Sequence, residues 1–315
     1  MGHYGVTPAT LSRTLAQRPV VLDGGLATQL EAQGADLSGP TWSASLLQTS
    51  PQAIVAAHAA FFAAGAEVAT SASYQATYDG FARIGVDAAQ TDQLLGRSVR
   101  LARDAADAHA ERTGRPAWVA ASVGPYGAML ADGSEYRGGY GLDVAALRRF
   151  HRRRLEVLVE AAPDVLALET IPELVEVEAL VAEVARLEFP AWLSVTVSGE
   201  RLRSGPPATD AFAAARDCRH VVAVGVNCSA PGDVVAALTA AAAASGRPGV
   251  AYPNSGESWD AQARRWTGRP GIDPLDVTGW LDAGARLVGG CCRVGPSDIT
   301  VVADAVAAWV PGQCS

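Results

Sequence analysis

Eight short apolar runs alternate along the chain with longer segments whose apolar positions repeat at the helical period. The runs lie at residues 18–23 (RPVVLD), 67–71 (EVATS), 117–123 (AWVAASV), 164–169 (DVLALE), 192–196 (WLSVT), 221–227 (VVAVGVN), 249–252 (GVAY) and 286–289 (RLVG). The helical patterns between and after them cover 51–64, 88–112, 144–161, 173–187, 208–217, 233–244, 274–283 and 297–309. Strict strand–helix alternation predicts a parallel sheet with helices on its faces. Eight units is also the closure number of the (β/α)8 barrel, so the expected class is α/β and the expected fold a TIM-type barrel. A doubly wound open sheet is the competitor. It is disfavoured because the DGGLATQL segment after the first run lacks the glycine spacing of a dinucleotide fingerprint. No internal repeat or linker interrupts the series, and residues 1–315 are expected to form one domain.

Composition narrows the function classes. The chain has 315 residues, 49% of them apolar and 18% charged, as expected for a large, well-buried core. Its formal net charge of −8 argues against nucleic acid as a main partner, because phosphate binding needs a basic face. No apolar run approaches the roughly 20 residues of a membrane span, and the first residues lack the basic-then-apolar order of a signal peptide. The cytoplasm is therefore the expected compartment. Lysine is absent altogether, which excludes Schiff-base chemistry on a lysine.

In a (β/α)8 barrel, chemistry sits at the C-terminal ends of the strands. Cys228 directly follows the sixth run, and Cys291 and Cys292 directly follow the eighth, so all three are expected at the mouth. Cys218 precedes the sixth run, at the opposite end, and Cys314 is next to the last residue; both are expected to be bystanders. Three thiolates on one rim suggest a metal site with an open fourth position, and thiolate donors favour zinc. Adjacent strand residues point to opposite faces. Gly289 and Gly290, with their freer backbone, would let the chain leave the strand so that both sulfurs turn one way.

Acids at the same rim extend the picture. Asp23 ends the first run and Glu169 the fourth, where they could hold the ammonium of an amino-acid substrate. Gly24 and Gly25 would leave backbone N–H groups for its carboxylate. Asn227 and Ser255 are candidate polar contacts at the ends of the sixth and seventh runs. Tyr74, Tyr126, Tyr136, Tyr140 and Tyr252 are expected in mouth loops, several of them within the long Gly- and Tyr-rich segment 124–141. Their ring faces could attract a cation such as a sulfonium. The five histidines fall in helices (His58, His109, His151), before the sixth run (His220) or at the start of the chain (His3). None is placed for a nucleophile relay or as a zinc ligand.

The segments LDGGLATQLE, TSASYQAT, SVGPYGAMLADGSEYRGGYG, LALETIP, GVNCSAP, YPNSGESWD and VGGCCRVGP, in this order, resemble the homocysteine S-methyltransferase family over nearly the whole chain. They look most like the branch using S-methylmethionine or S-adenosylmethionine, and less like the betaine-using or cobalamin-dependent branches. The resemblance implies a (β/α)8 barrel with Zn2+ on Cys228, Cys291 and Cys292. It also implies homocysteine held near Asp23, Gly24 and Glu169, and methyl transfer from a sulfonium donor to give methionine. Gly139 departs from the aspartate that the resemblance leads one to expect in the donor loop. Three alternatives have different sequence grounds. GG after the eighth run is compatible with a phosphate-binding barrel. The Cys291–Cys292 pair could serve a non-catalytic redox module. A closed structural zinc site would need a fourth protein ligand, for which the sequence offers no good candidate.

Overall fold

The computed structural model describes residues 8–37, 43–260, 265–267 and 271–312. His3 and Cys314 lie outside them. Within them the eight apolar runs form eight parallel strands: β1 (Val20–Val21), β2 (Val68–Thr70), β3 (Trp118–Val123), β4 (Val165–Ile171), β5 (Ala191–Val195), β6 (Val221–Asn227), β7 (Gly249–Tyr252) and β8 (Ala285–Val288). Each strand neighbours the next in sequence, and β8 pairs with β1. A parallel bridge between Leu22 and Val68 joins β1 to β2, so the sheet closes on itself. The expected barrel is the observed one.

One helix packs outside after each strand: α1 (Pro51–Ala63), α2 (Ala88–Thr113), α3 (Val144–Glu160), α4 (Leu174–Leu187), α5 (Ala208–Ala214), α6 (Val234–Ser245), α7 (Pro274–Asp282) and α8 (Pro296–Ala308). Their starts follow from capping chemistry. Asp87, Asp143 and Asp273 each accept a backbone N–H of the first turn, and proline occupies the first position of α1, α7 and α8. Short helices at Leu26–Ala32, Ser43–Thr49, Tyr78–Ala82 and Tyr126–Leu130 sit within the loops and were not foreseen; each is too short to show a helical period.

The period of two along each strand sorts side chains into two cores. Trp118, Ala120, Val165, Ala167, Trp192, Ala223 and Val250 point into the barrel and fill it. Their chain neighbours Val119, Ala121, Leu166, Leu168, Leu193, Val224 and Ala251 face the helices. Small alanines offset the two tryptophans, so the interior is packed rather than hollow. Carried two residues further toward the mouth, and four on β6, the inward parity selects Ser122, Glu169, Ser194, Asn227 and Tyr252, all buried. The barrel thus changes from apolar to polar along its own axis. Among the described residues no helix is long and apolar enough to cross a membrane.

Candidate metal centre and active site

The three rim cysteines meet. Asn227 points inward, so a continued strand would send Cys228 outward. Instead Cys228 adopts a left-handed backbone (φ 47°), which breaks the alternation and brings its sulfur to the mouth. Such a conformation costs a non-glycine residue about 1–2 kcal/mol. It is held by the Cys228 N–H donating to the Tyr252 carbonyl (3.3 Å) and by the Thr196 hydroxyl donating to the Cys228 carbonyl (3.2 Å).

On β8 the strand ends at Val288; the Gly289 N–H still donates to the Ala251 carbonyl (3.0 Å), and the chain leaves the strand register at Gly290, whose N–H donates to the Asp23 carbonyl (3.1 Å). The physical reason differs from the expected one, since neither glycine has a positive φ. A Cβ on Gly289 would lie 2.6 Å from Leu22 Cβ, and one on Gly290 would lie 2.1 Å from Val294 Cγ1. What is required is close approach, not conformational freedom. The left-handed residue is Arg293 (φ 63°), in a turn closed by the Val294 N–H donating to the Cys291 carbonyl (3.2 Å). The Cys291 N–H donates to the Pro253 carbonyl (2.7 Å) and the Cys292 N–H to Asn254 Oδ1 (3.2 Å), which tie this turn to the loop after β7.

All three Sγ atoms lie within 4.8 Å of one another. Cys228 and Cys291 are joined as a disulfide with Cα atoms 5.6 Å apart, and Cys292 is free, its Sγ 3.7 Å from that of Cys228. The redox alternative had paired Cys291 with Cys292; the observed pair crosses from β6 to β8. Burial pushes the Cys292 thiol up, and the charges of Glu169 and Glu135 push it further, against a contact from the Tyr136 hydroxyl at 3.9 Å. A cation is what this donor set lacks in order to ionise. Reduced, the three soft sulfurs suit a thiophilic metal such as zinc.

A cavity beside the cysteines reaches down to the inward polar layer. Asp23, Thr70, Ser122, Glu169 and Tyr252 line it together with all three cysteines. Asp23 is 4% exposed and accepts the Thr70 N–H (2.6 Å) and the Thr70 hydroxyl (2.8 Å). Burial, reinforced by the charge of Glu169, still raises its carboxyl from 3.8 to about 7. Glu169 accepts a very short hydrogen bond from Ser122 Oγ and a second from the Tyr252 hydroxyl (3.1 Å), which in turn accepts the Trp192 N–H (3.0 Å). Burial raises Glu169 as well. Neither acid has a basic side chain in ion-pair contact among the described residues.

The other candidates fall in different places. Gly24 lines the cavity, as does Gly25, but the Gly25 N–H already donates to the Val294 carbonyl (2.9 Å) and is not free for a substrate. Asn227 is fully buried beneath the cavity. It accepts the Thr170 N–H and the Ser194 hydroxyl (both 2.6 Å) and donates to the Thr170 hydroxyl (2.7 Å). It thereby fixes Thr170 in a left-handed conformation (φ 61°) beside Glu169. Ser255 is buried outside the cavity and donates to Glu257, which is paired with Arg293. Tyr126 is turned away, packed edge-on against Phe150 and tilted against Tyr140. Tyr74 and Tyr136 do line the cavity. Tyr252 is not a loop residue; it ends β7 and points inward. Cys218 is buried in the outer core, away from the rim. His58 and His151 are packed within α1 and α3.

Sequence reasoning missed Thr70, Ser122, Thr170 and Gln75, although the inward parity of β3 marks Ser122. It also missed Arg154. This buried guanidinium donates to the carbonyls of Gly124 (2.9 Å), Ser73 (2.7 Å) and Tyr74 (2.7 Å), tying the loops after β2 and β3 together.

The match to the family model "Homocysteine S-methyltransferase" covers residues 20–306. Homocysteine S-methyltransferase 1 of Zea mays is 44% identical over 258 residues, covering 78% of this chain and 80% of that protein. The Escherichia coli homocysteine S-methyltransferase is 46% identical over 252 residues, 78% of this chain and 81% of the relative. The crystal structure of the Escherichia coli homocysteine methyltransferase MmuM in its metallated form superposes with a TM-score of 0.85 at 42% identity, over 95% of this chain and 99% of that one. Its oxidized form does so with 0.84 at 43%, over 94% and 99%. Agreement of this kind, across nearly every strand and loop that builds the mouth, means that the chain belongs to the homocysteine S-methyltransferase family and is a methyltransferase.

Proposed function

We propose that the chain is a zinc-dependent homocysteine S-methyltransferase that takes its methyl group from S-methylmethionine or S-adenosylmethionine. Cys228, Cys291 and Cys292 hold the metal, and Asp23 and Glu169 receive the ammonium of homocysteine. The observation that carries this reading is one cavity in which three mutually close sulfurs share the lining with two buried carboxylates that have no basic side chain in ion-pair contact among the described residues. A buried carboxylate without a counter-ion is costly, and a substrate ammonium supplies the missing charge.

Zinc held by Cys228, Cys291 and Cys292 would ionise a coordinating thiol at neutral pH. The chain's residues then position and exclude. Asp23, fixed by Thr70, and Glu169, fixed by Ser122 and Tyr252, hold the α-ammonium and orient the substrate sulfur toward the cysteines. The substrate thiolate attacks the methyl carbon of the donor sulfonium in line. A C–S bond forms to homocysteine's sulfur, the donor's C–S bond breaks, and its electron pair returns to the donor sulfur. The leaving thioether is neutral, so no general acid is needed; among the described residues no histidine lines the cavity. Alignment supplies much of the rate. Thiolate ligation requires the Cys228–Cys291 pair to be reduced, which suits a reducing compartment such as the cytoplasm.

The test is metal content and turnover with homocysteine and S-methylmethionine, S-adenosylmethionine or betaine, before and after thiol reduction. The reduced protein should hold about one zinc and lose activity to chelator, and cobalt-loaded protein should change its spectrum on adding homocysteine. Full activity in Cys228→Ser or Cys292→Ser, or in metal-free protein, would overturn the assignment.

A further inference from the structure

A methyl donor entering this cavity must deliver its methyl group to the substrate sulfur and not to the three cysteine sulfurs that share the lining. Methylation of a cysteine would be a dead end, because the thiolate is the metal ligand and a thioether has lost its charge. The three cysteines are not equally open to such attack. Cys228 is 4% exposed, whereas Cys291 and Cys292 are partly exposed at the cavity. Side-chain donors follow the same division. The Tyr136 hydroxyl lies 3.9 Å from the Cys292 sulfur, and Asn227 Nδ2 lies 3.9 Å from the Cys291 sulfur. The Cys228 sulfur receives no side-chain N–H or O–H among the described residues.

Tyr136 is braced for its contact. It lines the cavity at the end of the single turn Ser134–Tyr136, and the Arg203 guanidinium stands over its ring, 5.8 Å from the centre. Arg203 Nε donates to the Thr196 hydroxyl (3.2 Å), which donates to the Cys228 carbonyl (3.2 Å). One chain of contacts therefore ties the phenol to the backbone that carries the cysteines. Cys292 is the partner of the Tyr136 hydroxyl among the described residues. A thiolate has no proton to give, so once Cys292 is ionised the phenol is the donor. Hydrogen bonds to metal-bound sulfur tune its electron density, and a sulfur that accepts one is the poorer nucleophile.

We infer that Tyr136 is a positioning residue that hydrogen-bonds the Cys292 sulfur and steers methyl transfer away from that cysteine and onto the substrate. Asn227 stands in the same relation to Cys291. The inference rests on the proposal that the three cysteines hold the metal as thiolates.

The experiment compares wild type with Tyr136→Phe, which keeps the ring and removes only the hydroxyl. Both are reduced, free of homocysteine, and loaded with zinc or cobalt. Iodomethane serves as the methyl source, so that no donor-binding contact enters the comparison. A cysteine sulfur attacks the methyl carbon, a C–S bond forms, and iodide leaves with the electron pair of the broken C–I bond. Peptide mass spectrometry reads S-methylation at each cysteine. Tyr136→Phe should speed methylation of Cys292 at least about threefold, since hydrogen bonds to charged groups are the stronger ones. Cys291 keeps its Asn227 contact and should change by less than about twofold. In the cobalt-loaded protein the sulfur-to-cobalt charge-transfer band should move to longer wavelength, because a sulfur relieved of a hydrogen bond holds its electrons less tightly. A smaller rise at Cys292 or an equal rise at both cysteines would overturn the inference. So would faster methylation with an unmoved band, which would mean that the hydroxyl merely shields the sulfur. Failure of reduced wild type to bind either metal would instead overturn the reading on which it rests.

Discussion

Asp23 is expected to destabilise the ligand-free protein while binding its substrate, and Asp23→Asn separates the two effects. Asparagine fits the observed geometry: its carbonyl accepts the Thr70 N–H, and its amide donates to the Thr70 hydroxyl, which can reverse its role. The buried charge disappears. Because burial and the charge of Glu169 raise the Asp23 carboxyl from 3.8 to about 7, the native state holds a proton that the unfolded state has released. Stability therefore falls as pH rises from about 4 to about 7 and is level above that. A displacement of about 3 pH units at about 1.4 kcal/mol each sets the penalty above pH 7 at roughly 4 kcal/mol, an upper bound because relaxation around the charge reduces it.

At pH 5 only about 1.5 kcal/mol of that penalty has developed. With an unfolding entropy of about 2.1 cal/mol/K per residue over 315 residues, Asp23→Asn should melt up to about 2 °C above wild type at pH 5 and up to about 6 °C above it at pH 8. Homocysteine should reverse the order. Loss of a buried ion pair costs about 3–5 kcal/mol, so KM for homocysteine should rise at least about a hundredfold while KM for the donor changes little. Paired melts of ligand-free protein at the two pH values, with initial rates at saturating donor, make the test. A variant less stable than wild type at pH 8, or an unchanged homocysteine KM, would refute the assignment of Asp23 as an uncompensated charge awaiting a cation.

Two further outcomes follow from the same polar layer. Tyr252→Phe removes one donor from Glu169 and orphans the buried Trp192 N–H, which should cost about 1–3 kcal/mol of stability. Since the Tyr252 bond draws the Glu169 carboxyl downward, its loss should move the acid limb of kcat/KM for homocysteine to higher pH, as a pH–rate profile would show. Arg154→Met leaves the carbonyls of Ser73, Tyr74 and Gly124 without their buried donor and removes a charge that also lowers Glu169. Hydrogen exchange should accelerate in residues 71–77, and the acid limb should again move up. Arg154→Lys, which keeps the charge and part of the bonding, should fall between; wild-type exchange in Arg154→Met would show that the clamp is not needed.

The barrel was legible because its signal is local: strands of a parallel sheet need short apolar runs, and each crossover needs a helix long enough to show its period. The inward half of the site was legible for the same reason. Glu169 lies four residues beyond inward-facing Val165, so its direction follows from counting, and the same count turns Tyr252 inward behind Val250, contrary to its expected place in a loop. What could not be counted lies past the strand ends. Tyr126 and Tyr136 occupy one mouth segment, yet one packs on Phe150 and the other lines the cavity, because a short helix at Tyr126–Leu130 turns the chain between them.

Cys228 shows where the limit lies. By parity its side chain should leave the barrel, and only a left-handed backbone, strained for cysteine, brings its sulfur to Cys291 and Cys292. Thr170, after Glu169, and Arg293, after Cys292, adopt the same conformation. Three strained non-glycine residues thus lie at the mouth-side end of β4, directly after β6 and in the turn that follows β8. Each is held by hydrogen bonds to or from a different strand or loop: Asn227 to Thr170, Tyr252 to Cys228, and Thr28 to Arg293. The strain is therefore maintained by the closed barrel, not by local sequence. That is why the cysteines' positions along the chain indicated a shared rim, whereas convergence of their sulfurs depends on strands far apart in sequence.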